Sequence, residues 1–550
     1  MRCSAPVVSV LIACALIAAP RAQAPAPAGS LDEVVARAQQ AEAAVLDNLK
    51  TLKPLMEIYL QDVLADDSLA VTPRSDTYLL GRFEFRRGPR LLPLSGDGSL
   101  ERMSASTPEG RNVRYVPDGF AAMAAPDWDL LDSRRYTFTL VRREFVGEAR
   151  TFVIDVRPTK NPRDGFSGRI WIEDRGYNIV RFNGINRRAE REFFRQEMSF
   201  HVDSWRTNVL PGLWLPSYIY VEQTNTDGAT GARGAHLRSH VRLWGYDPRT
   251  AQPSADAFTD ILIDAPQVQD TAARQAQLSP VSSARQWEAE AEANVVQRLE
   301  RASLIAAPGE AEKVLETVVN NLEVTNDIVN DPPLKVRVLL TTPLESFTAG
   351  RTIILSRGLI DVLPDEASLA MMLAHELAHV VLGHPLIDPQ FAFSDRLMVD
   401  DEELLRLLKV TRTAAEEAAA DAKVMEMLEK SPYKDALAGS GLFLRIVADR
   451  AKVLPNLITP HIGDHIAEGG QIMRLAQVME AAPELNRERL DQVAALSLGA
   501  RLALNPWNAR LELIRNAAEL PESAREKVPL TIAPLIPYLR YVDAPPLLRP

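Results

Sequence analysis

The feature that most limits what this chain can become is a change of hydrophobic period near residue 250. Between about 75 and 250, stretches such as "YTFTLVRREFVG", "TFVIDVRP", "GRIWIED", "SYIYVEQT" and "HLRSHVRLWGY" alternate apolar and polar residues. Gly, Pro, Asn and Asp separate them. Alternation with period two half-buries a strand, and turn residues between such runs fold them back on one another, so an antiparallel sheet is predicted. Five of the seven tryptophans (Trp128, Trp171, Trp205, Trp214 and Trp244) fall in this stretch, enough bulk for a core of its own. After about 290 the spacing is mainly helical, interrupted by the strand-like "LKVRVLL" and "RTIILSRG". The expected fold is therefore α+β and multidomain: an antiparallel β-sheet domain, then a mainly helical domain with a small sheet and a helical tail. A chain of 550 residues is long enough for two to four such units.

The spacing divides the chain further. Residues 1–24 have the anatomy of a secretory signal: Arg2, an apolar run, and Ala22-Gln23-Ala24 as a small-x-small cleavage site. "LIAC", ending at Cys14, offers the alternative of a lipid anchor on that cysteine. Both cysteines, Cys3 and Cys14, lie in this leader, so a mature chain without it has no thiol and no disulfide. Residues 25–70 read as a helical segment, 71–255 as the β-rich domain, and 256–290 as a connector, although "FTDILID" has strand texture. Residues 291–470 form the second domain and 471–550 a helical region. Within the last, "LDQVAALSLGARLALNPWNARLELI" has the phrasing of a tetratricopeptide junction or of a plain helical hairpin about Asn505-Pro506.

Composition excludes some functions. A formal charge of −11 and the lack of a dense Lys/Arg cluster argue against a nucleic-acid partner. Beyond the leader no apolar run is long enough to span a membrane.

The chemistry concentrates in "LAMMLAHELAHVVLGHP", residues 369 to 385, which holds three of the chain's eight histidines. Asp365 is placed to cap a helix and Gly383 and Pro385 to end it, so a helix over 365–383 is predicted. Residues four apart share a helix face, so His375 and His379 can reach one metal ion. Glu376 points to a neighbouring face, near enough to act as general base and too far round to be a third ligand. His236 and His240 have the same spacing in strand texture, where it separates them by about 13 Å; they and His201 are expected on the sheet surface. For a third ligand the candidate helix is "TRTAAEEAAADAKVMEML", where Glu417 and Asp421 sit four apart. On one reading they face a metal, Asp421 accepting the ring N–H of a ligand histidine. On the other, Glu416 and Glu417 are solvated acidic residues of an outer face.

"GLIDVLPDEASLAMMLAHELAHVVLGH" followed by Glu417-Ala418-Ala419-Ala420-Asp421 resembles the M48 family of zinc metallopeptidases, over about residues 312 to 470. The resemblance implies a gluzincin-type domain and one zinc ion per chain, held by His375, His379 and Glu417. It makes Glu376 the base, Asp421 a partner of a ligand, His384 a supporting residue rather than a ligand, and His461 a candidate transition-state donor. One departure is Glu345-Ser346-Phe347, where many members have Asn-Ala-Phe. The strand "RTIILS", residues 351 to 356, is expected to pair with an extended substrate. Residues 75 to 250 loosely resemble the curved sheets of lipoprotein-sorting (LolA-like) proteins, which implies a concave face able to take a lipid or lipoprotein.

The expected function is a zinc endopeptidase cleaving unfolded or extended envelope proteins, exported to the periplasm or secreted. The alternative is a non-catalytic chaperone or lipoprotein-binding protein on a peptidase scaffold.

Overall fold

The computed structural model describes residues 30–65, 71–85, 90–94, 103–106, 112–115, 131–159, 165–188, 198–210, 212–224, 235–246, 292–330, 333–384, 408, 410, 412–459, 462–486, 502–504 and 511–513. The leader with Cys14, the "FTDILID" stretch and His461 lie outside these residues.

Helix α1 (Leu31–Leu49) starts at Ser30, whose hydroxyl accepts the Glu33 N–H. The helical segment read over 25–70 is corrected here: the helix ends at Leu49, and Leu55–Ala65 is strand β1. The reason lies in two-sided burial. Met56, Ile58 and Leu60 join one core while Leu55 and Tyr59 join another, and a strand buried on both faces shows no clean alternation.

The strands that follow are β2 (Val71–Glu84), β3 (Arg90–Pro93), β4 (Met103–Ser106), β5 (Asn112–Tyr115), β6 (Tyr136–Val146), β7 (Ala149–Pro158), β8 (Gly165–Glu173), β9 (Ile179–Arg188), β10 (Met198–Leu210), β11 (Leu213–Thr224) and β12 (Ala235–Trp244). Apart from the β4–β5 pair they join β1 in one ten-stranded sheet, ordered β3-β2-β1-β12-β11-β10-β9-β8-β7-β6. The meander β6 to β12 ends beside β1, which it pairs in antiparallel fashion.

One face of the sheet is covered by α1. Val34, Val35, Ala38, Val45, Leu46 and Leu49 share a core with Ile58, Phe83, Ile154, Ile170, Phe182 and Ile219. Glu42 of α1 meets Arg206 of β10 through two bonds, 2.5 and 2.8 Å, both residues buried. The opposite face, at β1, β2 and β12, packs on the second half of the chain: Leu55, Tyr59, Tyr78, Leu80 and Trp244 are part of that half's core. His240 is only 2% exposed there, which corrects its expected place on the sheet surface. Period alone does not tell which strands a second layer covers.

The second half opens with α2 (292–301) and α3 (Glu310–Thr325). A three-stranded sheet follows, β13 (Lys335–Leu339), β14 (Ser346–Ala349) and β15 (Thr352–Ser356), in the order β13-β15-β14. The strand β15 is thus central, parallel to β13 and antiparallel to β14. This overturns the expectation that residues 351 to 356 present a free edge; the edges are β13 and β14, and β14 is the one beside Glu376. Then come α4 (Arg357–Val362), α5 (Glu366–Leu382), α6 (Ala414–Lys430), α7 (Leu437–Arg450), α8 (Pro455–Ile458), the pair β16 (Ala467–Glu468) and β17 (Gln471–Ile472), and α9 (Ala476–Glu480). The last described residues, β18 (Leu502–Leu504) and β19 (Leu511–Leu513), pair with each other. The helical hairpin read across Asn505-Pro506 is therefore a strand pair at its two described ends. Among the described residues no helix is long and apolar enough to cross a membrane.

Removing one member of a buried ion pair leaves the other charge out of water and unpaired. Glu42→Ala is expected to cost about 3–5 kcal/mol by stranding Arg206, read as a lower midpoint in chemical unfolding; an unchanged midpoint shows the pair to be unimportant.

Candidate metal centre

The helix α5 forms where the sequence places it. Asp365 accepts the Ser368 N–H at 2.8 Å, and Gly383 ends the helix in the left-handed conformation (φ 71°). Every residue from Ala370 to His379 is buried. A glycine at that turn lets the chain reverse at once, which brings His384 Nδ1 to 2.9 Å from His379 Nδ1.

The helix α6 supplies the distant carboxylate, and its capping decides which of two adjacent glutamates faces inward. Thr413 and Glu416 form a capping box: Thr413 Oγ1 accepts the Glu416 N–H, and Glu416 Oε2 accepts the Thr413 N–H. Glu416 is thereby committed to the helix end. Its neighbour Glu417 turns toward α5, with Oε2 3.1 Å from His375 Nε2 and Oε1 3.6 Å from His379 Nε2. The two imidazole Nε2 atoms are 3.1 Å apart. One donor atom from each of His375, His379 and Glu417 lies within 4.8 Å of the others.

This set fits a divalent zinc-type ion on the structure's own terms. Both Glu417 oxygens are buried and no hydrogen-bond donor is aligned with either. Bare buried carboxylate oxygens facing two imidazole nitrogens are what a cation would satisfy. Burial works against a charge on His375, but the close carboxylates of Asp421 and Glu417 outweigh it and lift this imidazole to about 9. Burial likewise opposes charge on Glu417, yet His375 holds it down at about 2. For His379 burial prevails and lowers it to about 4.

Asp421 ties this centre to a second one. Its Oδ1 lies 3.3 Å from His375 Nδ1, and its carboxylate accepts the backbone N–H groups of Leu475, at 2.8 Å, and Ala476, at 3.3 Å. Leu475 holds a left-handed conformation (φ 63°), uncommon for a residue with a Cβ; the Asp421 bonds help to fix it. Beside it, Arg474 is only 2% exposed and aims Nη1 at Glu376 Oε1, 3.0 Å, and Nη2 at Ser346 Oγ, 2.9 Å.

Glu376 is held on both oxygens. Oε1 accepts from Ser346 Oγ at 2.8 Å as well as from Arg474, and Oε2 accepts from Thr348 Oγ1 at 2.9 Å. Burial alone would raise this carboxyl, but Arg474 together with His375 and His379 draws it below the ordinary range, so it stays ionised. Arg412 spans the rim, donating from Nη1 to His384 O (3.1 Å) and from Nη2 to Thr348 O (3.4 Å). Its backbone N–H donates to Asp464, whose carboxyl burial raises to about 6 despite the pull of Arg474.

Sequence reasoning named His375, Glu376, His379, His384, Glu417 and Asp421, and the structure brings all six together. It missed Ser346, Thr348, Arg412, Asp464 and Arg474. Ser346 and Thr348 left a trace, since hydroxyls two apart in a strand share a face, and Ser346 stands in the Glu345-Ser346-Phe347 departure. Nothing near Arg474 in the sequence marks it.

Two imidazoles from one helix, a bare carboxylate from another and a buried, ionised glutamate between strand hydroxyls define a centre of the metallopeptidase kind. Residues 310–399 match the model of peptidase family M48, which bears out the resemblance read from the sequence. The matched span contains His375, Glu376, His379 and His384 and ends before α6. No curated protein matches the chain in sequence. Among solved structures, a LolA superfamily protein from Nitrosomonas europaea is 10% identical, with 39% of this chain and 97% of that one covered at a TM-score of 0.20. A DUF1329 family protein from Desulfovibrio piger is 9% identical, with coverages of 40% and 98% and a TM-score of 0.19. Scores this low carry no argument about fold or function.

Two measurements check the centre. Asp421→Ala removes a partner of His375 and the anchor of Leu475, and zinc affinity is expected to fall about 10–100-fold in competition with a chelator. The His375 proton must leave for a metal to bind. A group raised to about 9 stabilises the metal-free fold below its ordinary value, and that stabilisation is lost as pH rises through about 9. Zinc uptake at neutral pH should therefore release a proton, and apparent affinity should climb until about pH 9 and then level; calorimetry in buffers of different ionisation enthalpy reads both.

Proposed function

We propose that the chain is a zinc-dependent endopeptidase that hydrolyses peptide bonds in unfolded or extended polypeptides. The supporting observation is the Glu417 carboxylate, carried on a separate helix to His375 and His379 and buried there without a hydrogen-bond donor. With zinc bound, such a centre polarises a peptide carbonyl and makes water a nucleophile near neutral pH. The protein's own groups do the remainder. His375 and His379 are oriented through their far nitrogens, by Asp421 and His384 respectively. Glu376, kept ionised by Arg474, is the group to take the proton of the attacking water and return it to the leaving amine. Ser346 and Thr348 fix its two oxygens.

Binding of an extended substrate falls to β14, the edge strand beside Glu376, by strand addition. Thr348 O already accepts from Arg412, and Gly463 lies against Ser346 O, so a substrate displaces chain contacts to enter. The leader at 1–24 supports export, which would make envelope proteins the polypeptides within reach.

Purified protein should contain one zinc per chain, cleave casein, and lose that activity to a chelator. Glu376→Gln should keep its metal while activity drops about 10²–10⁴-fold. Wild-type turnover in that variant, or zinc binding without any hydrolysis by the wild type, refutes the proposal; the second result leaves a binding or chaperone protein on a peptidase scaffold.

A further inference from the structure

We infer that the ten-stranded sheet positions the general base through Glu57, and is thus a working part of the hydrolytic centre; this rests on the reading of Glu376 as that base. Glu57 lies on β1, is 0% exposed and faces the second half of the chain. Its Oε1 accepts the Thr342 N–H at 2.6 Å and its Oε2 accepts the Thr342 hydroxyl at 2.8 Å. Two more sheet residues, Arg242 and His240 of β12, reach the same hydroxyl oxygen at 3.1 and 3.2 Å. Three side chains of the sheet converge on one threonine.

Thr342 begins the turn that runs into β14. On its other side the turn is held by the junction of β15 and α4. Gly358 N–H donates to Thr341 O at 3.0 Å, and a Cβ on Gly358 would stand 1.7 Å from Thr342 O. Ser356 Oγ donates to Pro343 O at 2.6 Å and accepts the Glu345 N–H at 3.0 Å. A turn gripped on both sides transmits displacement instead of absorbing it. What it leads into is Ser346 and Thr348, the hydroxyls on Glu376.

A second carboxylate of the sheet braces the same turn. Asp76, on β2 beside Glu57's strand, accepts the backbone N–H groups of Asn456 (3.1 Å) and Leu457 (2.8 Å). Leu457 O in turn accepts the Leu344 N–H at 2.8 Å. An apolar contact would exclude water equally well but would not fix direction; a buried acceptor with assigned donors does. The path from Glu57 through Thr342, Ser346 and Thr348 to Glu376 is continuous in bonds and backbone. Glu57 touches no reacting group, so it is a positioning residue.

The test uses the full-length, zinc-loaded chain and compares wild type with Glu57→Ala and Thr342→Val on casein and on one peptide substrate. In Glu57→Ala, kcat should fall at least about tenfold with KM within about twofold, because misplacing a catalytic group costs rate more than binding. Thr342→Val keeps the side-chain shape and loses only the hydroxyl, so kcat should fall about threefold, with zinc stoichiometry as in wild type and a lower unfolding midpoint, because Glu57, Arg242 and His240 lose a buried partner. If Glu57→Ala does not fold, Thr342→Val decides. Wild-type kcat in the folded, zinc-loaded variants, or a loss confined to KM, overturns the inference while leaving the peptidase reading intact. A wild-type chain that binds zinc and cleaves nothing overturns both.

Discussion

A carboxylate removed from water has to be met by donors or cations, and the second half of this protein is organised by that requirement. Glu376, Asp421, Glu57 and Asp76 are each buried or largely so, and each collects N–H, O–H or guanidinium partners from segments remote in sequence. Glu417 is the exception: its oxygens face two imidazoles and no aligned donor. Because desolvation is costly for any unmatched charge, each pairing fixes the relative position of the elements that carry it. The core of the helical half supplies cohesion, but these polar contacts set register.

Seen this way the two halves are less separate than the change of period suggests. The sheet has its own core with α1, yet Leu55, Tyr59, Tyr78, Leu80 and Trp244 belong to the core of the helical half. Two sheet carboxylates reach backbone N–H groups there as well. The sheet's contact through Glu57 enters at the turn before β14, the strand whose hydroxyls hold Glu376. Asp421 plays a matching part on the opposite side, joining His375 to the segment that delivers Arg474. Glu376 and the cluster of His375, His379 and Glu417 are thus braced from both flanks.

Legibility followed distance along the chain. Helix α5 could be read completely because its cap, its histidines, its glutamate and its terminating glycine are all local, and the geometry of one helix is known in advance. Glu417 could be nominated from its spacing to Asp421, but its choice over Glu416 depends on the capping box, a competition resolved only at the folded helix end. β1 was misread because its residues face two cores at once, which erases the period. β15 was misread as an edge because strand order is not a property of any single strand. Arg474 and Glu57 left no trace, since an arginine or glutamate in ordinary company looks like surface.

The sequence by itself determined a strand-rich half followed by a helical half and the histidine-glutamate helix, because each depends on periodicities of a few residues. Only the tertiary structure decided which carboxylate meets the imidazoles, which strands lie at the edges of the small sheet, and which residues hold Glu376. Those outcomes depend on charges and donors brought together across hundreds of residues, where matching in a water-poor interior, and not local preference, selects the partner.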